Sequence, residues 1–409
     1  RGPLNDGFVS DNDGGDDKFD IYLVDFAGRG DGQYRLDSCL ASANNRCAGH
    51  MLLENDFFGY GYPSVQVAIR IVGSHELFHA VQAGYAAGQD VIVSEATAVW
   101  ATERFDPSLN DFEAFIRRFL ERPERSIFVA PSGLVDGYPY SVALFFRFID
   151  ERYGPAFVLQ LWEQLEQTPT VDDWVSSVDS VLSANYGSRF VDEFEQFAVW
   201  NVYTGPRANP AQAYQEGARY PQVLSTEADL PLRIDRPRMF AASARYWLLD
   251  PDGRDAITAA FAPTPDSTEG LEMWLVPIAF NGATAPVKVL EQTEVPTQNL
   301  EGMMLAVINP QQSGSSLRPT VCVGSPQEVA ACTADTADAG TTADAGSPTD
   351  SGADAGIPDA GGSPPPESGG CAASPGAPVS STWWLLLLLA ISNRRQASRH
   401  RRSESPRIH

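Results

Sequence analysis

Two histidines and a glutamate in one short segment are the residues of this chain best suited to chemistry. The segment His75-Glu76-Leu77-Phe78-His79 has the form H-E-x-x-H. On a helix, residues i and i+4 lie on one face about 6 Å apart along the axis, so two imidazoles can share one metal ion. Glu76 lies slightly round the helix, where its carboxylate can act on a water molecule rather than bind the metal. The pattern therefore predicts a catalytic zinc site.

An alternative interpretation is a pair of ordinary histidines on a helix surface. The chain has five histidines, and with so few a chance match to H-E-x-x-H is rare. The flanking residues are apolar, which predicts a helix buried nearly all round, and buried imidazoles and carboxylates need polar partners. These flanking residues are Val65, Val67, Ile69, Ile71, Val72, Ala80, Val81 and Tyr85.

The third ligand of such a site is expected to be a carboxylate. The metzincin pattern needs a histidine six residues after His79, where this chain has Tyr85, and we expect His50 to lie on the surface. Glu95 stands 16 residues after His79, near the start of the next apolar helix. If that helix packs antiparallel against the helix of the H-E-x-x-H motif, its first turn lies next to the two histidines. His75, His79 and Glu95 would then form a His₂Glu site with one open position, which is typical of catalytic zinc.

The elements around this motif fall into a helical part and a strand-rich part. Residues 19–25 alternate between apolar and polar types, which predicts a strand. After about residue 220, short apolar runs between Pro, Gly and Asp have the spacing of a β-sandwich. The sequence therefore predicts the α+β class, with an α-rich domain followed by an all-β sandwich domain. The expected helices span 64–87, 91–104, 110–121, 139–152, 155–166, 173–184 and 188–202; the expected strands of the second part are 244–249, 256–261, 272–276 and 304–308.

Four segments carry a family resemblance. They are residues 20–23, the H-E-x-x-H segment with Gln82, residues 95–100 and residues 197–207. Together they resemble the gluzincin metallopeptidases and, more closely, a family of secreted metalloproteases from myxobacteria, over about residues 16–320. The resemblance implies a mostly helical zincin-like metallopeptidase domain with a small N-terminal sheet at 1–210 and an accessory β-sandwich at 220–332.

The chain departs from that family pattern at two positions near Glu95. Ala96 stands where the family has Gly, and Thr102 stands where it has an acid, with Glu103 one place later. The second departure concerns the groups that orient the histidines rather than the metal ligands themselves.

The resemblance also implies a reaction, the hydrolysis of peptide bonds in a peptide or protein substrate. Glu76 would be the general base of a zinc-dependent peptidase. Tyr138, or as second choice Tyr140, would stabilise the oxyanion; the alternative for each is an aromatic side chain packed at a helix start. The rival function is a non-catalytic surface adhesin or pseudoenzyme on the same scaffold. The presence of Glu76, which binds no metal, favours the enzyme.

Charge and low-complexity sequence define the rest of the chain. With 53 acidic and 29 basic residues the net charge is −24, which argues against a nucleic-acid partner because phosphates require basic surface. Residues 333–370 repeat Asp-Ala-Gly and end in prolines, which predicts an extended, disordered stalk. No apolar run in the sequence reaches the roughly 20 residues of a membrane-spanning helix.

Residues 371–409 contain Cys371 after two glycines, an apolar run at 383–391 and a cluster of arginines. They resemble the C-terminal sorting tails of myxobacterial surface proteins, which implies a sorting protease as a partner and anchoring at the outer surface. A stop-transfer anchor is the alternative. Both interpretations put residues 1–332 outside the cytoplasm and limit membrane contact to the tail. Because the sequence starts at Arg1, we expect any signal peptide to lie upstream.

Two smaller predictions concern cysteines and calcium. The spacing predicts local disulfides Cys39–Cys47 and Cys322–Cys332, as in an oxidising compartment. Acidic residues at alternating positions with nearby glycines predict a Ca²⁺ loop, for which a solvated acidic loop is the alternative. The residues concerned are Asp11, Asp13 and Asp16.

Overall fold

The computed structural model describes most of the chain up to Ala339. The described ranges are 18–40, 45–129, 137–168, 173–263, 268–279, 284–290 and 293–339. The predicted calcium loop at Asp11, Asp13 and Asp16, the predicted stalk from residue 340 onward and the predicted sorting tail at 371–409 lie outside these ranges. Within them, every helix is too short or too polar to cross a bilayer.

A three-stranded sheet opens the described chain. Its strands are β1 (Ile21–Val24), β2 (Gly32–Cys39) and β3 (Cys47–Glu54), in the order β1-β3-β2. β1 runs parallel to β3, and β2 pairs antiparallel with the opposite edge of β3. The predicted strand at 19–25 is confirmed as β1, and the predicted disulfide Cys39–Cys47 joins β2 to β3. Among the described strands, β2 therefore lies at the edge of this sheet and is tied to β3 at one end.

Helices follow this sheet at the positions that apolar periodicity predicts. Ser64 accepts a hydrogen bond from the Val67 amide at the start of α1, and Gly88, with φ +79°, follows its end. The prediction that α1 is buried nearly all round is wrong, because Val65 and Ile69 are each about 40% exposed on its outer face. The helices are α1 (Val65–Ala86), α2 (Val91–Phe105), α3 (Phe112–Leu120), α4 (Tyr138–Ser141), α5 (Ala143–Tyr153), α6 (Ala156–Gln167), α7 (Trp174–Asn185) and α8 (Phe190–Val202).

Aromatic side chains form the core of the helical part. Phe145 on α5 is fully buried, and its ring contacts those of Phe146, Phe148, Phe190 and Phe197 at centroid distances of 5.4 to 6.3 Å. Such pairs favour tilted and edge-to-face contacts. This core holds α2 against α1 on one side and against α4 and α5 on the other, so the two helices that carry the predicted ligands are fixed side by side.

The strand-rich part consists of a four-stranded and a five-stranded sheet. The orders are β10-β7-β12-β5 and β4-β6-β11-β8-β9. One apolar cluster takes side chains from both sheets, for example Ile257 and Val321 from the first and Leu275 and Leu305 from the second. The strands are β4 (Thr226–Ala228), β5 (Leu232–Ile234), β6 (Ser243–Leu249), β7 (Ala256–Ala262), β8 (Glu272–Ala279), β9 (Val287–Lys288), β10 (Val295–Pro296), β11 (Leu300–Asn309) and β12 (Thr320–Gly324). The α+β class is confirmed.

The other face of the five-stranded sheet packs on the helical part. Tyr246, Met304 and Ile308 belong to the same buried cluster as the helical core. The Tyr246 hydroxyl also donates a hydrogen bond of 2.9 Å to the backbone oxygen of Ala198 on α8.

Helix α9 (Pro326–Ala339) ends the described chain. The predicted disulfide Cys322–Cys332 is confirmed and links α9 to β12. The prediction of a stalk beginning at residue 333 is wrong for its first residues, since the helix continues to Ala339. Alanine has the highest helix propensity, and its frequency in this stretch supports the extra turns.

Candidate metal centre

The three predicted ligands lie together between α1 and α2. His75 Nε2 lies 3.1 Å from Glu95 Oε2 and 3.1 Å from His79 Nε2. His79 Nε2 lies 3.5 Å from the same Glu95 oxygen. One turn of α1 supplies both imidazoles, and the first turns of its neighbour α2 supply the carboxylate. The three side chains thus form a group that could hold one metal ion.

The spacing of these atoms fits a small tetrahedral ion. With bonds of about 2.0–2.1 Å to nitrogen and oxygen, the ligands of tetrahedral zinc lie about 3.3–3.4 Å apart. The three separations here are 3.1, 3.1 and 3.5 Å. Two imidazole nitrogens and one carboxylate are also the donor types of catalytic zinc sites. The residues therefore fit zinc both in chemistry and in geometry.

Charge in this group favours a cation. Burial alone would lower the pKa of His79, but the charge of Glu95, its hydrogen bond and the charge of Glu76 together raise the pKa to about 9. Burial alone would raise the pKa of Glu95, but the adjacent imidazoles hold it well below its usual range. The ionised Glu95 creates a field that stabilises positive charge at the imidazole nitrogens, whether a proton or a metal ion supplies it.

Gln82 orients His79. Its side-chain oxygen lies 2.7 Å from His79 Nδ1, and its amide nitrogen donates to the Ser94 backbone oxygen at 2.8 Å and to Thr97 Oγ1 at 3.0 Å. An amide oxygen can only accept, so Nδ1 carries a proton and Nε2 is the nitrogen left to bind a metal ion in exchange for its own proton. In the sequence, only the family pattern pointed to Gln82. Its position three residues after His79, on the same helix face, could also have indicated this contact.

Glu76 is buried, 5% exposed, on the side of the site that faces β2. Its Oε2 accepts a hydrogen bond of 2.7 Å from the Tyr34 amide of that strand. Burial raises the pKa of Glu76, while the two histidines lower it and Glu95 raises it further. A Cβ on Gly32 would lie 2.9 Å from Glu76 Cγ, so only a glycine lets the strand pass this close to the helix.

Buried Asp31 lies on the same side, just before β2. The Tyr62 hydroxyl donates a hydrogen bond of 2.6 Å to its Oδ2, whereas its Oδ1 has no partner within the described part of the chain. Burial raises the pKa of Asp31, and the negative charge of Glu76 raises it further. Sequence reasoning missed this residue, since a single Asp among loop glycines carries no signal of burial.

The two predicted tyrosines have different positions. The Tyr140 ring stacks on His75 with the centroids 5.9 Å apart, and burial together with the adjacent charge of Glu95 raises the pKa of its hydroxyl. The Tyr138 hydroxyl instead donates to the backbone oxygen of Arg125 at 2.8 Å, and its ring lies under the Arg125 guanidinium. The preference for Tyr138 is therefore wrong, because α4 turns that side chain into the core and leaves Tyr140 at the site.

The remaining candidates near the site lie apart from the ligands. His50 on β3 pairs with Asp37 at 2.8 Å, as expected for a histidine at the surface. Thr102, which replaces the acid of the family pattern, accepts a hydrogen bond of 3.1 Å from Ser74, the residue before His75. Glu103 interacts instead with the charge of Arg147. The departure at Thr102 thus leaves Gln82 as the residue that orients a histidine.

A cleft of about 670 Å³ gives access to this group. One wall is the backbone of β2 from Gly32 to Leu36, and the floor contains both histidines, Glu76, Glu95 and Tyr140. Small and apolar residues of α1, the connection after it, α2 and α6 also line the cleft. These are Ala83, Ala86, Ala87, Gly88, Val91 and Trp162.

The cleft therefore combines three possible metal ligands, a buried carboxylate beside them and an extended strand along one wall. Comparison with protein-family models, with curated proteins and with solved structures finds no match to this chain. The chemistry of the site consequently rests on its own geometry.

Proposed function

We propose that this protein is a zinc-dependent metallopeptidase of the gluzincin type that hydrolyses peptide bonds. The observation that carries the proposal is the convergence of His75, His79 and Glu95 on one point, with Glu76 buried beside them in the same cleft. A site that only stored metal would need no further carboxylate at this position and would more commonly be closed by a fourth protein ligand.

The residues of the chain would divide the reaction as follows. His75, His79 and Glu95 would hold the zinc, which acts as a Lewis acid and lowers the pKa of water at the site. Glu76 accepts the proton of the attacking water and later delivers it to the leaving amine. The amide of Tyr34, which donates to Glu76 Oε2, holds this carboxylate in place and leaves Oε1 to exchange the proton.

An extended peptide suits the shape and polarity of the cleft. β2 pairs with β3 on one side, and among the described residues no strand covers its other side, which lines the cleft. Apart from the Tyr34 amide, which is bonded to Glu76, such a strand edge offers N–H and C=O groups that an extended chain can pair with. This supports a peptide or protein substrate over a compact small molecule.

Tyr140 would serve as a positioning residue for Glu95. Its hydroxyl lies beside that carboxylate, whose charge acts on it, and its ring stacks on that of His75. Stabilisation of the oxyanion by the same hydroxyl remains a prediction, for which the Tyr140→Phe variant is the test. Loss of kcat at unchanged zinc affinity would indicate the oxyanion role, and loss of zinc affinity would indicate positioning of Glu95.

The wider assignment is part of the same proposal. We infer a zincin-like domain over residues 1–210, an accessory β-sandwich over 220–332, and a location outside the cytoplasm. Two disulfides, Cys39–Cys47 and Cys322–Cys332, support an oxidising compartment. The shared apolar cluster of the two C-terminal sheets supports the sandwich.

Zinc analysis and a cleavage assay on the same preparations test the function. Wild type is expected to contain one zinc per chain and to cleave unfolded casein. Glu76→Gln should keep the zinc and lose the cleavage, whereas His79→Ala should lose both. Glu163→Gln is the matched control, because Glu163 is exposed on α6 and should change neither. Cleavage that persists in Glu76→Gln would refute the mechanism, and zinc without cleavage would favour the non-catalytic surface protein.

A further inference from the structure

A second cavity lies where the end of α8 meets the five-stranded sheet. Its volume is about 870 Å³, within the range of pockets that hold small organic ligands. One wall comes from residues 202–211, which include the end of the 197–207 segment of the family resemblance, a segment that the peptidase proposal does not use. The opposite wall comes from β6, β8 and β11, with Leu248, Pro277 and Ile278 as its main apolar surface.

Arg207 brings an uncompensated positive charge to this cavity. No carboxylate of the described residues forms an ion pair with it, although most other arginines in the helical part have one. Burial lowers the pKa of its guanidinium, and no acidic group acts against that effect. Half-buried arginines normally have a counter-ion, because removing the charge from water is costly. An anion from outside the chain would supply it.

The surrounding segment holds Arg207 in place. The side-chain amide of Gln222 lies against the Arg207 guanidinium, with its oxygen turned towards the positive charge. A guanidinium has five N–H donors, so donors remain for a ligand. Gly205, at φ +61°, starts the 3₁₀ turn that ends at Arg207, and a Cβ there would lie 3.3 Å from the Gln222 backbone nitrogen.

Further hydrogen bonds fix the same turn. Thr204 Oγ1 donates to the Asn201 backbone oxygen at 2.9 Å and accepts from the Val223 amide at 3.1 Å. The turn therefore presents Arg207 in a fixed geometry, which reduces the entropy that ligand binding has to overcome.

Tyr203 brings a further polar group to the cavity. The residue is 6% exposed, lines the cavity, and its buried hydroxyl has no hydrogen-bond partner among the residues that the structure describes. Buried hydroxyls without partners are rare in native structures and indicate a missing ligand or water. A hydroxyl can donate to an anion, so this group and Arg207 favour the same kind of occupant.

We propose that this cavity binds a small organic monocarboxylate, whose carboxylate pairs with Arg207 and whose apolar part packs on Leu248, Pro277 and Ile278. Glu301 also lines the cavity, and because it repels a dianion such as a phosphate ester about twice as strongly as a monoanion, a single charge is preferred. The proposal is independent of the peptidase assignment.

Isothermal titration calorimetry on the full chain tests it with three probes that share a phenyl group. These are 4-phenylbutanoate, its uncharged amide 4-phenylbutanamide, and the dianion phenyl phosphate. The carboxylate is expected to bind roughly 10- to 100-fold more tightly than the amide, the range for one charge-assisted hydrogen-bonded pair. Arg207→Gln should weaken carboxylate binding by a similar factor, and Tyr203→Phe by less. Arg117→Gln, at an exposed arginine of α3 that pairs with Glu121, is the matched control and should bind as wild type does.

Three results would overturn the proposal. Equal affinity for acid and amide on wild type would show that the charge is not recognised, and this comparison needs no variant. Undiminished binding to folded Arg207→Gln would place the carboxylate elsewhere, for example at the metal centre. Tighter binding of phenyl phosphate than of 4-phenylbutanoate would exclude a site for a single charge.

Discussion

Replacement of Gln82 by leucine should weaken zinc binding without touching a ligand. Leucine is close to glutamine in volume, but it cannot accept the hydrogen bond of 2.7 Å that His79 Nδ1 donates to Gln82 Oε1. Without this acceptor the imidazole is free to rotate or to change tautomer, and Nε2 no longer presents a fixed lone pair.

The size of the effect follows from the bonds removed. Loss of a hydrogen-bond partner that orients a metal-bound histidine typically costs 10- to 100-fold in metal affinity, or about 1.4 to 2.7 kcal/mol. The same substitution removes the bonds to the Ser94 oxygen and to Thr97, which should destabilise the metal-free fold by about 1–3 kcal/mol. Urea unfolding of metal-free protein measures this second cost separately.

Competition with a chromophoric chelator at one fixed pH gives the zinc Kd. Gln89→Leu is the matched control, because Gln89 lines the same cleft and its side-chain oxygen has no partner within the described chain. We expect its Kd to equal that of wild type. A Gln82→Leu Kd within twofold of wild type would refute the view that this amide orients the ligand, and with it the tautomer assigned to His79.

Three other substitutions test the pH dependence of stability, the approach of β2 to the site and the core. Burial raises the pKa of Glu103 from 4.5 to about 8. The folded state therefore binds this proton more tightly than the unfolded state does, and the free energy of unfolding falls as the pH rises between those two values. Glu103→Gln should flatten that fall when urea unfolding is measured at a series of pH values, and an unchanged slope would contradict the burial argument. Gly32→Ala would put a Cβ 2.3 Å from Val72 Cγ1 and 2.9 Å from Glu76 Cγ. Because this clash displaces Glu76 or β2, we expect kcat for peptide cleavage to drop while the zinc content stays constant. A normal kcat would mean that β2 can move away without disturbing the site. Phe145→Ala should cost about 3–5 kcal/mol in urea unfolding, whereas Phe105→Ala, at a ring that is 60% exposed, should cost under about 1 kcal/mol; equal costs would contradict the core described above.

The helices and the ligand group were predictable because their signals are local. Apolar periodicity with Ser64 before α1 and Gly88 after it fixes the ends of that helix within a residue or two. The distance from His79 to Glu95 is set by one tight connection between two helices, so spacing alone suggests that they meet.

Other features depend on contacts that sequence does not encode locally. β2 and β3 were missed because neither shows a clear alternation: β2 is polar and exposed over much of its length, whereas β3 is buried or half-buried throughout. Tyr138 and Tyr140 are two residues apart in a helix of four residues, and the packing of Arg125 against one of them decides which faces the cleft. The Arg207 cavity brings together residues from positions 202 to 302, so no window of sequence reveals it.

The disulfide between α9 and β12 determines how the folded part of the chain would respond to mechanical load at its C-terminal end. β12 is an interior strand, with β7 and β5 on its two sides, and Cys322 lies in it while Cys332 lies in the helix. Tension applied beyond Ala339 would unwind α9 only as far as Cys332 and would then pass through a covalent bond into the middle of the sheet. Under reducing conditions the same pull would reach β12 only by peeling the whole helix, so the redox state of one bond sets how firmly this end resists force.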